Sequence, residues 1–141
     1  MTNSSLIAVD LIDAYKTTSY VVESNPAFTL NVGKHSESLA RLYAIENIQT
    51  ACFITAHNPY SVLLTPPHNV ARQADLLSDI ASLRLKSIYG YGQGKDSDWI
   101  EPSVLILGIS SDEGMKLAIK HEQNAFIWCD ETATPRLVLT R

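Results

Sequence analysis

Thr50–Tyr60, TACFITAHNPY, is the stretch in which this chain gathers groups able to do chemistry. A nearly continuous apolar run leads to Ala56, and His57, Asn58 and Pro59 then end it in a polar turn. That pattern describes a buried strand with a site-bearing loop at its end. An unperturbed imidazole titrates near neutrality, which makes His57 a candidate general base. Glu101 is the carboxylate candidate for acid or base work, on condition that burial raises its pKa. The neutral hydrogen-bonding candidates are Asn58, Asn69, Ser103, Gln123 and Asn124. Arg72 supplies a fixed cation for an anionic, nucleotide-like ligand. It lies one turn into an expected helix, where it opposes the helix dipole, so Asp75, Glu101 or a bound anion is expected to hold it.

Several sharper readings fail on spacing. A His57, Glu101, Ser103 triad can be written down, but Ser103 is not in a G-x-S-x-G elbow. His35, His57, His68 and His121 are scattered without metal-site spacing, and no metal or cofactor is expected. Gly90, Gly92 and Gly94 with Lys95 match neither a dinucleotide fingerprint nor a Walker loop, and no helix opens after them. They read as a mobile or tightly turned loop. Strand alternation puts Lys86 opposite Tyr89 and Tyr91, which argues against a nucleic-acid platform. Trp99 in the same region reads as a core-edge plug or a ligand cover.

These residues need a scaffold, and 141 residues of 45% hydrophobic and 18% charged composition suit a single globular domain, residues 1–141. A net charge of -4 gives no general attraction for nucleic acid or anionic lipid. The N-terminal apolar run is broken by Asp10 and Asp13 and reads as neither a signal peptide nor a membrane span. Cys52 and Cys129 sit in apolar runs and read as buried free thiols of a cytoplasmic protein.

Periodicity predicts a helix over 5–16, capped by Ser4 or Ser5, then a hairpin of strands 19–23 and 28–32 around Asn25-Pro26. A helix over 36–46 follows, then the strand 51–56. Pro66-Pro67 stiffens a loop, and Asn69 caps a helix running to 83 with Val70, Ala74, Leu77 and Ala81, widened by Ile80, as its apolar stripe. Strands at 84–91 and 104–109, a helix from the Ser110/Glu113 capping box to 121, and strands at 124–129 and 136–140 complete the chain. The order αββαβαββαββ is an α+β (mixed α/β) fold, a central mixed sheet with helices against it, in which 51–56 and 104–109 are the most buried strands.

The chain resembles a family of small bacterial proteins known as domain of unknown function 3293. The matching segments are Ala14-Tyr15, Phe53-Ile-Thr-Ala-His-Asn-Pro59, Asn69 with Leu76 and Leu83, Trp99-Ile-Glu101-Pro-Ser103 and Gln123-Asn-Ala-Phe126. The family has no assigned activity. The resemblance implies that Asn58, Asn69, Glu101, Ser103, Gln123 and Asn124 form one recurring set. Family members more often carry an aromatic residue where His57 stands, which weakens a catalytic role for it, and Phe-Gly where this chain has His121-Glu122.

Three functions follow as expectations. The first is a binding domain with a polar pocket at Ala56–Pro59, taking a small anionic or nucleotide-like ligand. The second is an enzyme using Glu101 as acid or base with His57 as auxiliary. The third is an interaction protein whose polar set is structural and whose final hairpin offers an edge near Leu137–Leu139 to a protein partner. Oligomeric state is left open by the sequence.

Overall fold

The computed structural model describes residues 5–141. Helix α1 (Val9–Thr17) is followed by strands β1 (Ser19–Val22) and β2 (Phe28–Leu30), helix α2 (Glu37–Glu46), strand β3 (Ala51–Ile54) and a short 3-10 turn at Pro59–Ser61. Helix α3 (Pro66–Ser82), strands β4 (Ser87–Gln93) and β5 (Ile100–Leu107), helix α4 (Ser111–Lys120) and strands β6 (Ala125–Cys129) and β7 (Pro135–Leu139) complete it. All seven strands join one sheet in the order β2-β1-β4-β5-β3-β6-β7. Every neighbouring pair is antiparallel. The fold is α+β, with β3 and β5 side by side at the centre.

Period-two alternation sorts the sheet's side chains onto two faces. On one face Phe53, Leu105, Leu107, Ile127 and Cys129 pack with Leu39 and Tyr43 of α2. On the other, Cys52, Ile54, Val104, Ile106 and Phe126 pack with Leu76 and Ile80 of α3 and with Leu117 of α4. Fully burying one such leucine or isoleucine is worth about 1.5–3 kcal/mol. The register Ala51↔Cys129 places Cys52 and Cys129 on opposite faces, and both thiols are free and buried. The first face is not covered evenly. α2 packs against one part of it, and α1 covers the rest less closely.

Capping chemistry sets several helix ends. Ser36 accepts the Leu39 N–H at 3.1 Å and Ser110 accepts the Glu113 N–H at 3.2 Å, as the sequence suggested for both helices. Two expected caps are corrected. α1 begins at Val9 with Ala8 before it, and the Ser5 hydroxyl donates to the Arg141 carbonyl at 2.6 Å. Ser4 lies outside the described residues. α3 begins at Pro66, with proline in its first turn, where the missing N–H costs nothing. Asn69 therefore sits inside the helix, buried, and caps nothing.

The apolar stripe of α3 is also rotated from the expected one. Val70 is 66% exposed, while Asn69, Leu76 and Ile80 are buried. The inward face is thus Asn69, Arg72 and Gln73 in the first half and Leu76 and Ile80 in the second, polar where it meets the end of β3. The glycine loop is corrected as well, because Gly90 and Gly92 lie within β4. β5 likewise starts before the expected strand, at Ile100. Residues 100–103 pair with β4 alone, since β3 stops at the Ile54↔Val104 pair. Pro102 is accommodated in that edge-like stretch.

Candidate functional site

A cavity of about 490 Å³ lies between α1 and the incompletely covered face of the sheet. Its wall includes Leu11, Ala14 and Tyr15 of α1 and Phe53, Ile127 and Leu137 of the sheet. Glu101, Ser103 and Asn58 bring polar groups to the same wall. The hollow is bordered in β4 by Gly92, whereas Gly90 is closely packed. Gly90 and Gly92 stand opposite Ser103 and Glu101 in the β4–β5 ladder and present no side chain. A Cβ at Gly90 would lie 2.3 Å from the Val21 carbonyl oxygen and 3.0 Å from the Phe53 ring, so glycine is required there. A Cβ at Gly92 would meet Thr18 at 3.5 Å, an ordinary contact, and Gly92 lines the cavity.

Glu101 is partly buried in this apolar setting. Burial pushes its carboxyl up to about 7, opposed in part by the hydrogen bond from Asn58. The Asn58 Nδ2 donates to Glu101 Oε2 at 3.2 Å. Glu101 Oε1 has no hydrogen-bond partner among the described residues. Ser103, buried one pleat along, donates its hydroxyl to the Glu101 carbonyl at 3.0 Å.

The orientation of the Asn58 amide follows from its neighbours. Its Oδ1 accepts the Leu64 N–H at 3.0 Å, and a backbone N–H can only donate. Asn69 Nδ2 donates to the same oxygen at 2.8 Å. The nitrogen end must therefore face Glu101.

The polar turn after β3 is clamped almost entirely by side chains. The Ala56 N–H donates to Gln73 Oε1 and the Ala56 carbonyl accepts from Arg72 Nε. The His57 N–H donates to Thr55 Oγ1 and the His57 carbonyl accepts from Gln123 Nε2. The Asn58 N–H donates to Asn69 Oδ1 and its carbonyl accepts the Ser61 N–H. All backbone polar groups of residues 56–58 are thus satisfied in a segment outside any strand or helix, the condition for burying it.

Beyond Asn58 the backbone is strained. Asn58, Tyr60 and Ser61 have φ of 48°, 51° and 62°. Left-handed residues other than glycine cost about 1–2 kcal/mol each. The turn is held by the Tyr60 N–H to the Glu122 carbonyl at 2.7 Å, by Arg141 stacked 4.0 Å over the Tyr60 ring, and by the Ser61 and Tyr15 hydroxyls at 2.6 Å. Asn124 joins this rim, donating to the Tyr15 hydroxyl at 3.0 Å and accepting from Arg141 Nε at 3.0 Å.

The expected site residues therefore divide. Asn58, Glu101 and Ser103 line the cavity, whereas Asn69, Arg72, Gln123 and Asn124 lie behind it as supports. Arg72 reaches neither Asp75 nor Glu101. Its guanidinium donates to the carbonyls of Ala56 (3.0 Å) and His121 (2.7 Å) and lies 3.5 Å from Glu122. His57 does not line the cavity, and burial lowers its pKa. Gln73, Tyr15 and Tyr20 were not among the candidates. Gln73 was detectable as the third polar residue on the inward face of α3, with Asn69 and Arg72.

His121 is buried and its Nε2 lies 2.7 Å from Asp79 Oδ2, which also takes Lys120. The bonds from Lys120 and then His121 hold the Asp79 carboxyl below its usual range. Together with Arg72 they border a second, smaller recess of about 330 Å³. Among the described residues no cluster of three His, Cys, Asp or Glu could hold a metal ion, and no helix is long and apolar enough to cross a membrane.

No curated protein and no solved structure matches this chain. A family model, Protein of unknown function (DUF3293), matches residues 54–126. The matched stretch holds the clamped turn, the inward face of α3, Glu101, Ser103, Gln123 and Asn124, while Ala14-Tyr15 lies outside it. It covers just over half of the 141 residues, and the chain belongs to that family.

Proposed function

We propose that the protein is a binding domain for a small, largely apolar molecule, held between α1 and the sheet with its polar end at Glu101. The observation that carries this reading is the cavity of about 490 Å³, apolar over most of its wall, with Glu101, Asn58 and Ser103 placed together on it. Its size and its few convergent polar groups are those of small-molecule sites. The anionic, nucleotide-like ligand expected from Arg72 loses its main support, because that guanidinium is engaged by backbone carbonyls outside the cavity. The buried free thiols fit a reducing compartment, so a cytoplasmic location belongs to this reading.

Thermal denaturation against a panel of small apolar and amphipathic compounds tests the proposal. A ligand at 100 times its dissociation constant adds about 2.7 kcal/mol to stability. At least one compound is expected to raise the midpoint in the native chain and to lose that effect in Gly92→Leu, whose side chain would occupy the hollow. Flat curves across the panel, or shifts unchanged by Gly92→Leu, would sink the reading.

One observation favours a second function, general acid–base catalysis. A carboxyl raised to about 7 by burial can both take and give a proton near neutrality. On this reading Glu101 is the proton carrier, Asn58 positions it, and His57 takes no part. A turnover that follows a group titrating near 7 and disappears in Glu101→Gln would support it. Activity surviving in that variant would remove it.

A further inference from the structure

Aromatic residues border the cavity on which the binding reading rests. Besides Phe126, whose ring packs on the other face of the sheet, they are Tyr15 of α1, Tyr20 of β1, Phe53 of β3 and Trp99 just ahead of β5. The two tyrosine hydroxyls are engaged with the protein. Tyr20 donates to the Tyr15 carbonyl at 2.5 Å, and the Tyr15 hydroxyl is shared with Ser61 and Asn124. What these residues offer a ligand is therefore ring surface, most of it from Tyr15 and Trp99, because Tyr20 and Phe53 are largely buried. Among the described residues, no lysine, arginine or histidine lines the cavity, and Glu101 is its one carboxyl.

Each feature favours the same charge. The face of an aromatic ring is electron-rich and attracts a cation within about 6 Å of its centre. Glu101 keeps one oxygen on Asn58 and has the other without a partner among the described residues. An anionic ligand would meet that carboxylate with no basic side chain on the wall, since Arg141 at the rim is engaged by Asn124 and the Tyr60 ring. A neutral hydrocarbon would leave the oxygen unpaired in an apolar space, which is costly. A cation of low hydration satisfies both the oxygen and the rings.

We infer that the cavity selects a monocationic ligand, a substituted ammonium on an apolar body, with its nitrogen beside Glu101 and among the rings of Tyr15, Tyr20, Phe53 and Trp99. This rests on the cavity being a small-molecule site, and deepens that reading by giving the ligand its charge.

Three probes of nearly equal shape test it by calorimetric or NMR titration: benzyltrimethylammonium, its uncharged isostere neopentylbenzene, and benzylsulfonate. The cation is expected to bind at least about tenfold more tightly than the isostere, in line with desolvated cation–ring attraction. Benzylsulfonate should not bind. Affinity for the cation should rise between about pH 5.5 and about pH 8.5 as Glu101 ionises, and affinity for the isostere should not. The other titratable groups on the wall are the phenols of Tyr15 and Tyr20, and burial pushes that of Tyr20 above its ordinary value. Glu101→Gln should bring the two affinities together. Should that variant not fold, the pH series on the native chain makes the same discrimination. Equal or tighter binding of neopentylbenzene, or any binding of benzylsulfonate, overturns the charge inference and leaves the small-molecule site standing. Binding of none of the three overturns both.

Discussion

Asn69 holds Asn58 twice, accepting its backbone N–H and donating to its side-chain oxygen, each at 2.8 Å. Through this double grip a buried residue of α3 decides which end of the Asn58 amide faces Glu101. The clamp and the cavity wall are thus one mechanical unit, although only the wall would touch a ligand.

Asn69→Ala leaves the Asn58 N–H without its acceptor in a buried turn. The expected loss is about 1–3 kcal/mol, measured by urea denaturation. Because both residues act through one network, the Asn58→Ala and Asn69→Ala losses should fall short of additive by about 0.5–3 kcal/mol in a double-mutant cycle. Simple additivity would mean that the grip carries no energy.

Glu101 makes stability depend on pH in a definite direction. Its folded value of about 7 lies above the ordinary 4.5, so the folded chain keeps a proton that the unfolded chain has lost. Stability should therefore fall as pH rises from about 4.5 to about 7 and level off above, by roughly 3 kcal/mol in all. Glu101→Gln cannot ionise and should lack that decline, so it should be the more stable form at about pH 8.5. Equal slopes for the two proteins over this window would refute the assignment to Glu101.

Ser61 combines a left-handed backbone with a hydroxyl bonded to Tyr15, and two substitutions separate these. Ser61→Ala loses the bond and keeps the strain, whereas Ser61→Gly loses the bond and relieves the strain. Glycine should be the more stable by about 1 kcal/mol in thermal or urea unfolding. The reverse order would show that the backbone at 61 is not strained.

Gly90→Ala and Gly92→Ala differ by one pleat and should differ sharply. The first drives a methyl against the Val21 carbonyl and the Phe53 ring and should cost about 1–3 kcal/mol or more. The second meets only ordinary contacts and should be nearly neutral. Circular dichroism melts of the pair suffice, and equal destabilisation would contradict the close packing assigned to Gly90 and the open space at Gly92.

Local signals in the sequence read well where local physics decides the outcome. Ser36 and Ser110 mark their helices, and the apolar runs of β3 and β5 mark the two central strands. The misreadings share a cause, which is tertiary context overriding local habit. Asn69 resembles a cap by type, yet Pro66 opens the helix a turn earlier and turns Asn69 inward. Gly90 and Gly92 resemble a loop because glycine usually breaks strands, but here both lie within β4, Gly90 packed against the Val21 carbonyl and the Phe53 ring and Gly92 lining the cavity. Arg72 was assigned to a ligand because its real acceptors are backbone carbonyls, which no side-chain pattern reveals. Of the site itself, Asn58, Glu101 and Ser103 were legible as chemistry-bearing residues. Trp99 was legible as a core-edge plug or ligand cover, but its meeting with Tyr15, Tyr20 and Phe53 was not, since the four come from separate elements.

The cavity wall runs from Leu11 to Leu137, and its rim is pinned by Asn124 and Arg141. Nearly the whole chain must therefore be in place before the chamber exists. On the binding reading, ligand capture therefore requires α1, β6 and β7 in place as well as the central strands. Bound ligand would report a fully assembled molecule, and a partly folded one, however much sheet it retained, would be blind to it.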